Sequence, residues 1–345
     1  MDPCKAAVVG ASGYSGEELV RLLIRHEGVE LVALTSRQFA GQTVGKVFPR
    51  FAGTRYSGLA FIESDISRIL ESGAQFVFLA LPHGVATEYA RPLIAAGLRV
   101  IDLSADFRIK DVQVYHDFYG EVHHAPELAA LSVYGLPEIY RAKIQGAQLV
   151  ASPGCYPTSV ILPLVPLLQR RLIKPQSIVV CSMSGVSGAG RNAKVEYLFA
   201  ECSESLRAYG VPKHRHLAEI EQELSTAAGE KVTIDFAPHL VPVTRGIHTT
   251  IFCAPAEGVE AWDLDHAYAE SYGREPFIRL LGTAGLPDTK NVVQTNFVDI
   301  AWRHDPRTGR FVLLSAEDNL TKGAAGQAVQ SLNIMSGQPE TTGLL

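Results

Sequence analysis

The alternation of hydrophobic runs in the first half of the chain constrains its fold more than any other feature. Short β-branched runs at Ala6–Val9, Glu30–Leu34, Phe76–Leu81, Arg99–Leu103 and Leu149–Ala151 are separated by stretches with helical spacing. That is the pattern of a parallel sheet with crossover helices. Between the first two runs, Leu19, Leu22 and Leu23 share one helical face while Glu17, Arg21 and Arg25 fall off it. Phe76–Leu81 is apolar throughout, as a strand covered on both faces requires. The second half has a different rhythm. Ser177–Met183, Val232–Phe236, Ile247–Phe252, Val292–Ile300 and Arg310–Leu314 are β-rich and partly alternating, which predicts a mostly antiparallel sheet with one face covered. Near the C-terminus, TKGAAGQAVQSLNIM is helical and rich in small residues that allow close packing. It is expected to return to the first domain.

With 345 residues, 47% hydrophobic and 19% charged, the chain can bury two cores. The expected division is 1–151 plus about 317–345 for one domain and 152–316 for the other. The glycine-containing stretch from about 38 to 59 has the weakest pattern and is expected to be a loop, open to mobility. A net charge of −5 gives no general attraction to nucleic acid or anionic membrane. The opening MDPCKAAVVG lacks a charged region followed by an apolar one, so no signal peptide is expected. No apolar run approaches the ~20 residues that span a bilayer. A soluble, cytoplasmic protein is the expectation.

The run VVGASGYSGEEL sets Gly10, Gly13 and Gly16 directly after a strand and before a helix. Glycines there permit a tight turn and close backbone approach to a phosphate, and the helix start adds unpaired amides. Ser12 and Ser15 add hydroxyl donors. The spacing is GxxGxxG, not GxGxxG, so an ordinary turn before a helix remains a competing reading. After the second strand comes LTSRQ. No acidic residue stands where one would hold a ribose 2′-hydroxyl, whereas Ser36 and Arg37 suit a 2′-phosphate. NADP is therefore favoured over NAD, against the alternative of a solvated loop arginine.

Five cysteines, Cys4, Cys155, Cys181, Cys202 and Cys253, are widely spaced with no CxxC, which argues against a disulfide framework or structural zinc. Cys181 and Cys253 lie inside strand-like runs and suit small buried hydrophobes. Cys155 follows Pro153-Gly154 in VASPGCYPTSVIL, a sharp turn before an apolar helix that Thr158 or Ser159 would cap. A thiol at a helix start is a candidate nucleophile, and a cysteine buried in a turn is the even alternative. Pro163 and Pro166 are expected to kink or interrupt that helix. His214 and His216 precede an amphipathic helix carrying Leu217, Ile220 and Leu224 on one face. Histidine is the natural acid/base for thiolate chemistry. The pair could also be surface residues, and no third ligand at metal spacing completes a site, so no metal is expected. Arg108, after a strand end in IDLSADFR, and Arg245, in HLVPVTRGIHTT, are candidates for an anionic substrate, with plain surface charge as the alternative.

GASGYSG, LALPHG at 79 to 84, DLSADFR, YGLPE, SPGCYPT, SGVSGAGR, the HRH pair, PHLVPVTRGI and DNLTKGAAGQAVQ together resemble the N-acetyl-gamma-glutamyl-phosphate reductase family, over nearly the whole chain. That family is similar in fold and chemistry to aspartate-semialdehyde dehydrogenase. The resemblance implies an α/β plus α+β fold, with an N-terminal Rossmann-type NADP-binding domain and a C-terminal catalytic domain. It implies NADP-dependent reduction of an acyl phosphate in arginine biosynthesis, through a cysteine thioester, by a homodimer or homotetramer. It assigns Cys155 as nucleophile and His216 as acid/base. Gly13, Tyr14, Ser15 and Gly16 match the phosphate turn, and Ser187, Gly188 and Asn319 the nicotinamide end. Arg108, His214 and Arg245 are then the candidate substrate residues. KHRHLAE stands where HRHTPE is usual, which leaves the start of the following helix open. A reductase of a homologous acyl phosphate, aminoadipyl or carrier-linked, is the alternative enzyme. A non-catalytic NADP sensor is the alternative from another class, disfavoured by the presence of both Cys155 and the histidines.

Overall fold

The computed structural model describes residues 3–191 and 193–345. The chain forms two compact units. One comprises Met1–His116, Gly120–Pro153 and Ala324–Leu345, the other Asp117–Tyr119 and Gly154–Gly323. Residues 318–323 stay with the second unit because Asp318 is bound there to Arg245 and to the Gln294 amide.

In the first unit the elements run β1 (Cys4–Val9), α1 (Tyr14–Ile24), β2 (Val29–Thr35), α2 (Val44–Val47), β3 (Phe61–Ile62), α3 (Ile66–Glu71) and β4 (Phe76–Leu79). They continue with α4 (Ala86–Ala95), β5 (Arg99–Asp102), α5 (Val112–Tyr119, its last three residues counted with the second unit), α6 (Pro126–Leu131), β6 (Val133–Tyr134), α7 (Pro137–Gly146) and β7 (Leu149–Ala151). The sheet order is β3-β2-β1-β4-β5-β7-β6 with every pairing parallel. Strand order reverses about β1, so the loops after β1 and β4 flank a switch point, where ligands bind in open α/β sheets. All four residues of β4 are buried, as its unbroken apolar character requires. The strand stops at Leu79, two residues short of the expected end, where Ala80 N–H donates to the Val9 carbonyl and the chain turns away. Leu19, Leu22 and Leu23 all face the core.

The 38–59 stretch is a packed insertion. Thr43 and Ala60 form an antiparallel bridge, Phe48 and Phe51 are buried, and Arg55 donates to the carbonyls of His26 and Val29. Its aromatic residues supply the pattern that period counting missed.

In the second unit the elements are α8 (Cys155–Gln169), β8 (Val179–Gly185), α9 (Phe199–Cys202), β9 (Arg207–Ala208), α10 (His216–Ala228), β10 (Asp235–Val241), β11 (Ile247–Cys253), α11 (Ala261–Tyr272), β12 (Ile278–Gly282), β13 (Val298–Asp305) and β14 (Arg310–Glu317). The sheet order is β12-β13-β14-β11-β8-β10-β9. Four of its pairings are antiparallel, while β8–β10 and β12–β13 are parallel, so the sheet is mixed. The expected strand at Val292–Ile300 starts only at Val298. A turn at Thr289–Asn291 and a positive φ at Gln294, whose amide is bound to Asp318, hold 292–297 out of the ladder. The expected Val232–Phe236 strand lies further on, at Asp235–Val241.

Contrary to the sequence expectation, α8 runs unbroken through Pro163 and Pro166. Each proline removes the amide that would bind the carbonyl four residues earlier. Those carbonyls find hydroxyls: Ser315 Oγ donates to Ser159 O at 2.6 Å and Tyr272 Oη to Leu162 O at 2.8 Å. The prolines are tolerated because neighbouring elements satisfy what they orphan. Cys253 is buried, which pushes its thiol up to about 12. Cys181 is only half-buried and does not fit the buried reading, because it points to the outer face of β8.

The terminal helix α12 (Gly326–Ser336) packs on α1, α7 and β5 within the first unit. Its small residues allow that close approach, and His26 Nε2 bonds to Asn333 Oδ1 at 2.8 Å.

Candidate active site

The glycine turn lies where the pattern put it, between β1 and α1. Gly10 has φ +79°, a conformation that favours glycine. A Cβ on Gly16 would meet Gly10 O at 2.4 Å, so the turn closes only without side chains there. At Gly13, by contrast, a Cβ would find only Gly10 O, 3.8 Å away, so this side of the turn is open. Gly13 is the N-cap of α1 and makes no side-chain cap. The Tyr14-Ser15-Gly16 start of the helix therefore offers its amides to an anion. Ser12 Oγ lies 3.0 Å from Ser36 Oγ, which joins the turn to the end of β2. Ser36 Oγ also accepts from the amides of Gln38 and Phe39, and Arg37 is exposed beside it. An open helix start, two hydroxyls and an arginine with no carboxylate at the strand end fit a dinucleotide carrying a 2′-phosphate. Arg37→Ala is expected to raise the Michaelis constant for NADPH about ten- to a hundredfold, the loss of a charge-assisted contact, and to leave that for NADH nearly unchanged. Steady-state kinetics with both cofactors check this.

Arg108 also belongs to this unit and is buried, its Nη2 donating to Leu103 O at 2.8 Å. Nearby, burial and then the adjacent Asp106 push the Asp102 carboxyl upward. Asp106 accepts from the amides of Gly84 and Ala86 and so fixes the loop after β4. Neither aspartate was singled out in the sequence, although both stand in DLSADFR.

In the second unit Cys155 is the first residue of α8. Gly154 is the N-cap, and neither Thr158 nor Ser159 caps the helix. Both lie inside it, and the Thr158 hydroxyl bonds back to Gly154 O at 3.2 Å. A helix start stabilises negative charge, which suits a thiolate. A Cβ on Gly323 would lie 2.7 Å from Cys155 Cβ and 3.1 Å from Glu317 Oε1. Only a glycine lets the segment after β14 lie against the cysteine.

His216 is likewise the first residue of its helix, α10, which packs on α8. The KHRHLAE variation thus starts the helix at the second histidine. Tyr156, next to Cys155, sets its ring edge-on to both His214 and His216, at 5.5 and 5.9 Å between centroids. Tyr209 Oη donates to Tyr156 Oη at 2.9 Å. Both phenols are pushed up by burial. His214 Nδ1 accepts from the His216 amide at 3.1 Å, so His214 caps α10 as a neutral ring. Burial, and then Arg215, push it down to about 4. A histidine with a depressed folded pKa stays neutral in the fold while the unfolded chain binds a proton below its ordinary 6.5. Its stabilising contribution is therefore present above that value and lost as pH falls toward about 4. His214→Asn is expected to flatten the decline of thermal stability over that window, measured by calorimetry from pH 7 to 4.

Arg245 forms a two-pronged ion pair with the buried Asp318, Nε to Oδ2 and Nη2 to Oδ1, both at 2.9 Å. Asn319 Oδ1 accepts from Gly246 N at 2.8 Å and its Nδ2 donates to Ser187 Oγ at 3.0 Å, with Gly188 alongside. Ser187, Gly188, Asn319 and the segment at Arg245–Gly246 are thus brought together. Among the described residues no group of three or more His, Cys, Asp or Glu could hold a metal ion. None of the helices is long and apolar enough to cross a membrane among the described residues.

Two family models match the chain: semialdehyde dehydrogenase, NAD binding domain, over 5–147, and semialdehyde dehydrogenase, dimerisation domain, over 155–319. The N-acetyl-gamma-glutamyl-phosphate reductase of Akkermansia muciniphila is 56% identical over 100% of this chain and 99% of its own length. That of Desulforudis audaxviator is 49% identical, covering 99% and 98%. Among solved structures, aspartate semialdehyde dehydrogenase II of Vibrio cholerae aligns with a TM-score of 0.72 at 17% identity, over 98% of this chain and 99% of that one. The aspartate semialdehyde dehydrogenase of Candida albicans with NADP aligns at 0.68 and 17%, over 96% and 98%. These two likenesses establish the fold. With its glycine turn, its helix-start cysteine and full-length relatives at this identity, the chain belongs to the N-acetyl-gamma-glutamyl-phosphate reductase family.

Proposed function

We propose that this protein reduces N-acetyl-gamma-glutamyl phosphate to N-acetylglutamate semialdehyde and phosphate with NADPH, in arginine biosynthesis. The observation that carries the chemistry is Cys155 and His216 standing at the starts of two packed helices. The relatives' name supplies the acyl group.

In this reading the Cys155 thiolate attacks the acyl-phosphate carbonyl. The C–S bond forms, the bond to the phosphate oxygen breaks, and phosphate leaves a thioester on Cys155. Amides at the start of α8 stabilise the tetrahedral oxyanion. In the first unit the Gly10–Gly16 turn, Ser12, Ser36 and Arg37 would hold the phosphates of the dinucleotide; in the second, the family resemblance assigns Ser187, Gly188 and Asn319 to its nicotinamide end. When bound, NADPH supplies the hydride that the thioester carbon receives. His216 gives a proton to the oxyanion that the added hydride leaves, and takes it back as the thiohemiacetal on Cys155 collapses to aldehyde and thiolate. Arg108 is assigned to the phosphate, whereas Arg245, expected for the substrate, has its charge engaged by Asp318 and holds its segment beside Asn319. His214 acts through its cap on α10.

The same reading makes this a cytoplasmic enzyme and a homodimer or homotetramer. Its second unit supports self-association. Val179 and Cys181 of β8 lie in register with Phe252 and Thr250 of β11 and with Val312 and Leu314 of β14 on one partly exposed sheet face, and the exposed Met183 pairs with His248 beyond them. An apolar sheet face of this kind is normally covered by another layer.

Iodoacetamide labelling followed by peptide mass spectrometry tests the reading. One rapid site is expected, at Cys155, protected by N-acetylglutamate semialdehyde. Uniform slow labelling of all cysteines, or labelling indifferent to that aldehyde, would contradict it.

A further inference from the structure

Two helix starts flank the switch point of the first sheet, that of α1 after β1 and that of α4 after β4. The start of α1 is open at Gly13. At α4 the N-cap is Val85, whose side chain has no acceptor and makes no cap. The acceptor comes from a distant segment: Asp106 Oδ1 takes the Gly84 amide at 2.7 Å and Oδ2 the Ala86 amide at 3.0 Å. Tyr115 Oη donates to the same Oδ1 at 3.2 Å, and Asp106 is fully buried. The tie is reciprocal, because His83 Nδ1 accepts from the Ala105 amide at 3.0 Å. The loop so held lies directly against the phosphate turn. A Cβ on Gly10 would meet Ala80 O at 2.4 Å and Leu81 Cδ2 at 3.3 Å. We propose that Asp106 is a positioning residue for the cofactor, its carboxylate filling the anion seat at the start of α4 and setting the 80–86 loop as the second wall of the dinucleotide crevice.

This rests on the placement of the dinucleotide phosphates at the Gly10–Gly16 turn proposed above. A carboxylate belongs at a helix start, where unpaired amides and the helix dipole both favour negative charge. Charge-assisted bonds to two amides of one loop fix its backbone. The neighbouring carboxylate shows which member of the pair is ionised. Asp102 is also buried and takes its hydrogen bonds from Ser104, and burial and then Asp106 push it up to about 7. Burial raises Asp106 as well, but the Gly84 and Ala86 amides and the Tyr115 hydroxyl work against it. Asp106 is therefore the member that keeps the charge.

Three variants of the full chain test this. Asp106→Asn keeps one acceptor oxygen but turns an N–H donor toward a loop amide. It is expected to raise the NADPH dissociation constant about tenfold or more, read by fluorescence titration. It should lower kcat at saturating NADPH less than about threefold and leave KM for the acyl phosphate near that of the parent. Tyr115→Phe removes a hydroxyl from the same carboxylate and leaves both amide bonds. It is expected to lower the melting temperature as Asp106→Asn does, yet to change the NADPH dissociation constant less than about twofold. Arg37→Ala reports on the turn itself. Unchanged affinity in Asp106→Asn, with Arg37→Ala weakened, would overturn the assignment and leave the placement of the dinucleotide standing. Unchanged affinity in both would remove the placement and the assignment with it. An affinity loss that follows the melting temperature alike in Asp106→Asn and Tyr115→Phe would reduce Asp106 to stabilising the fold, and also overturn it. Should Asp106→Asn fail to fold by circular dichroism, amide exchange in the parent chain decides. NADPH should then slow exchange over 80–86 together with 10–16, and protection confined to 10–16 would overturn the proposal. Because NADPH binding needs no acyl phosphate, a parent chain without turnover would remove the proposed reaction and leave these comparisons readable.

Discussion

Cys155→Ser is expected to abolish at least about 10³-fold of turnover while leaving NADPH binding intact. The substitution is nearly isosteric, so the packing of Gly323 against residue 155 survives and the fold should not suffer. What changes is the nucleophile. A serine hydroxyl is far less acidic than a thiol, and a helix start cannot offset that difference near neutral pH. NADPH binding should persist because the Gly10–Gly16 turn and the Ser36–Arg37 strand end share no residue with α8. Rapid-mix absorbance at 340 nm reads the turnover, and fluorescence titration the cofactor. Near-normal turnover would remove the covalent route.

His216→Asn is expected to lower kcat by about 10²- to 10⁴-fold, the range for losing a general acid/base. The loss should fall on kcat far more than on KM, because the ring acts on a proton that moves only during reaction. Asparagine at the first position of α10 keeps the amide that His214 Nδ1 accepts, so the cap persists. The edge-on contact with Tyr156 goes, at a smaller cost. A pH–rate profile that keeps its shape in the variant would show that another group carries the proton.

Much of this protein was legible in its sequence because the informative signals were local. The parallel character of the first sheet follows from apolar runs alternating with amphipathic ones, though its strand order and the two-residue strands β3 and β6 do not. The unbroken apolar run at β4 matches its four consecutive buried residues. The glycine turn was readable because Gly10 and Gly16 have steric reasons to be glycine. The unread features depend on partners distant in the chain. Pro163 and Pro166 announced a broken helix, and only Ser315 and Tyr272, more than a hundred residues away, explain why it continues. Residues 292–297 have strand composition, yet the distant Asp318 fixes the amide of Gln294 and keeps the segment out of the sheet. In the candidate site the sequence named both helix-start residues but missed what joins them. Glu219, buried on α10 and accepting from the Gly154 amide at 2.8 Å, reads in the sequence as one more polar residue of an amphipathic helix. Its i,i+3 spacing from His216 was the available signal. Arg245 was picked for its charge, and the structure shows that charge already engaged by Asp318.

The most direct measurement of the central claim is the reaction run backwards: NADP reduction at 340 nm with N-acetylglutamate semialdehyde, with and without inorganic phosphate. The account predicts phosphate-dependent NADPH formation with this aldehyde, much slower formation with its one-carbon-longer homologue, and none in Cys155→Ser. NADPH formation that ignores phosphate, or that survives loss of Cys155, would contradict it.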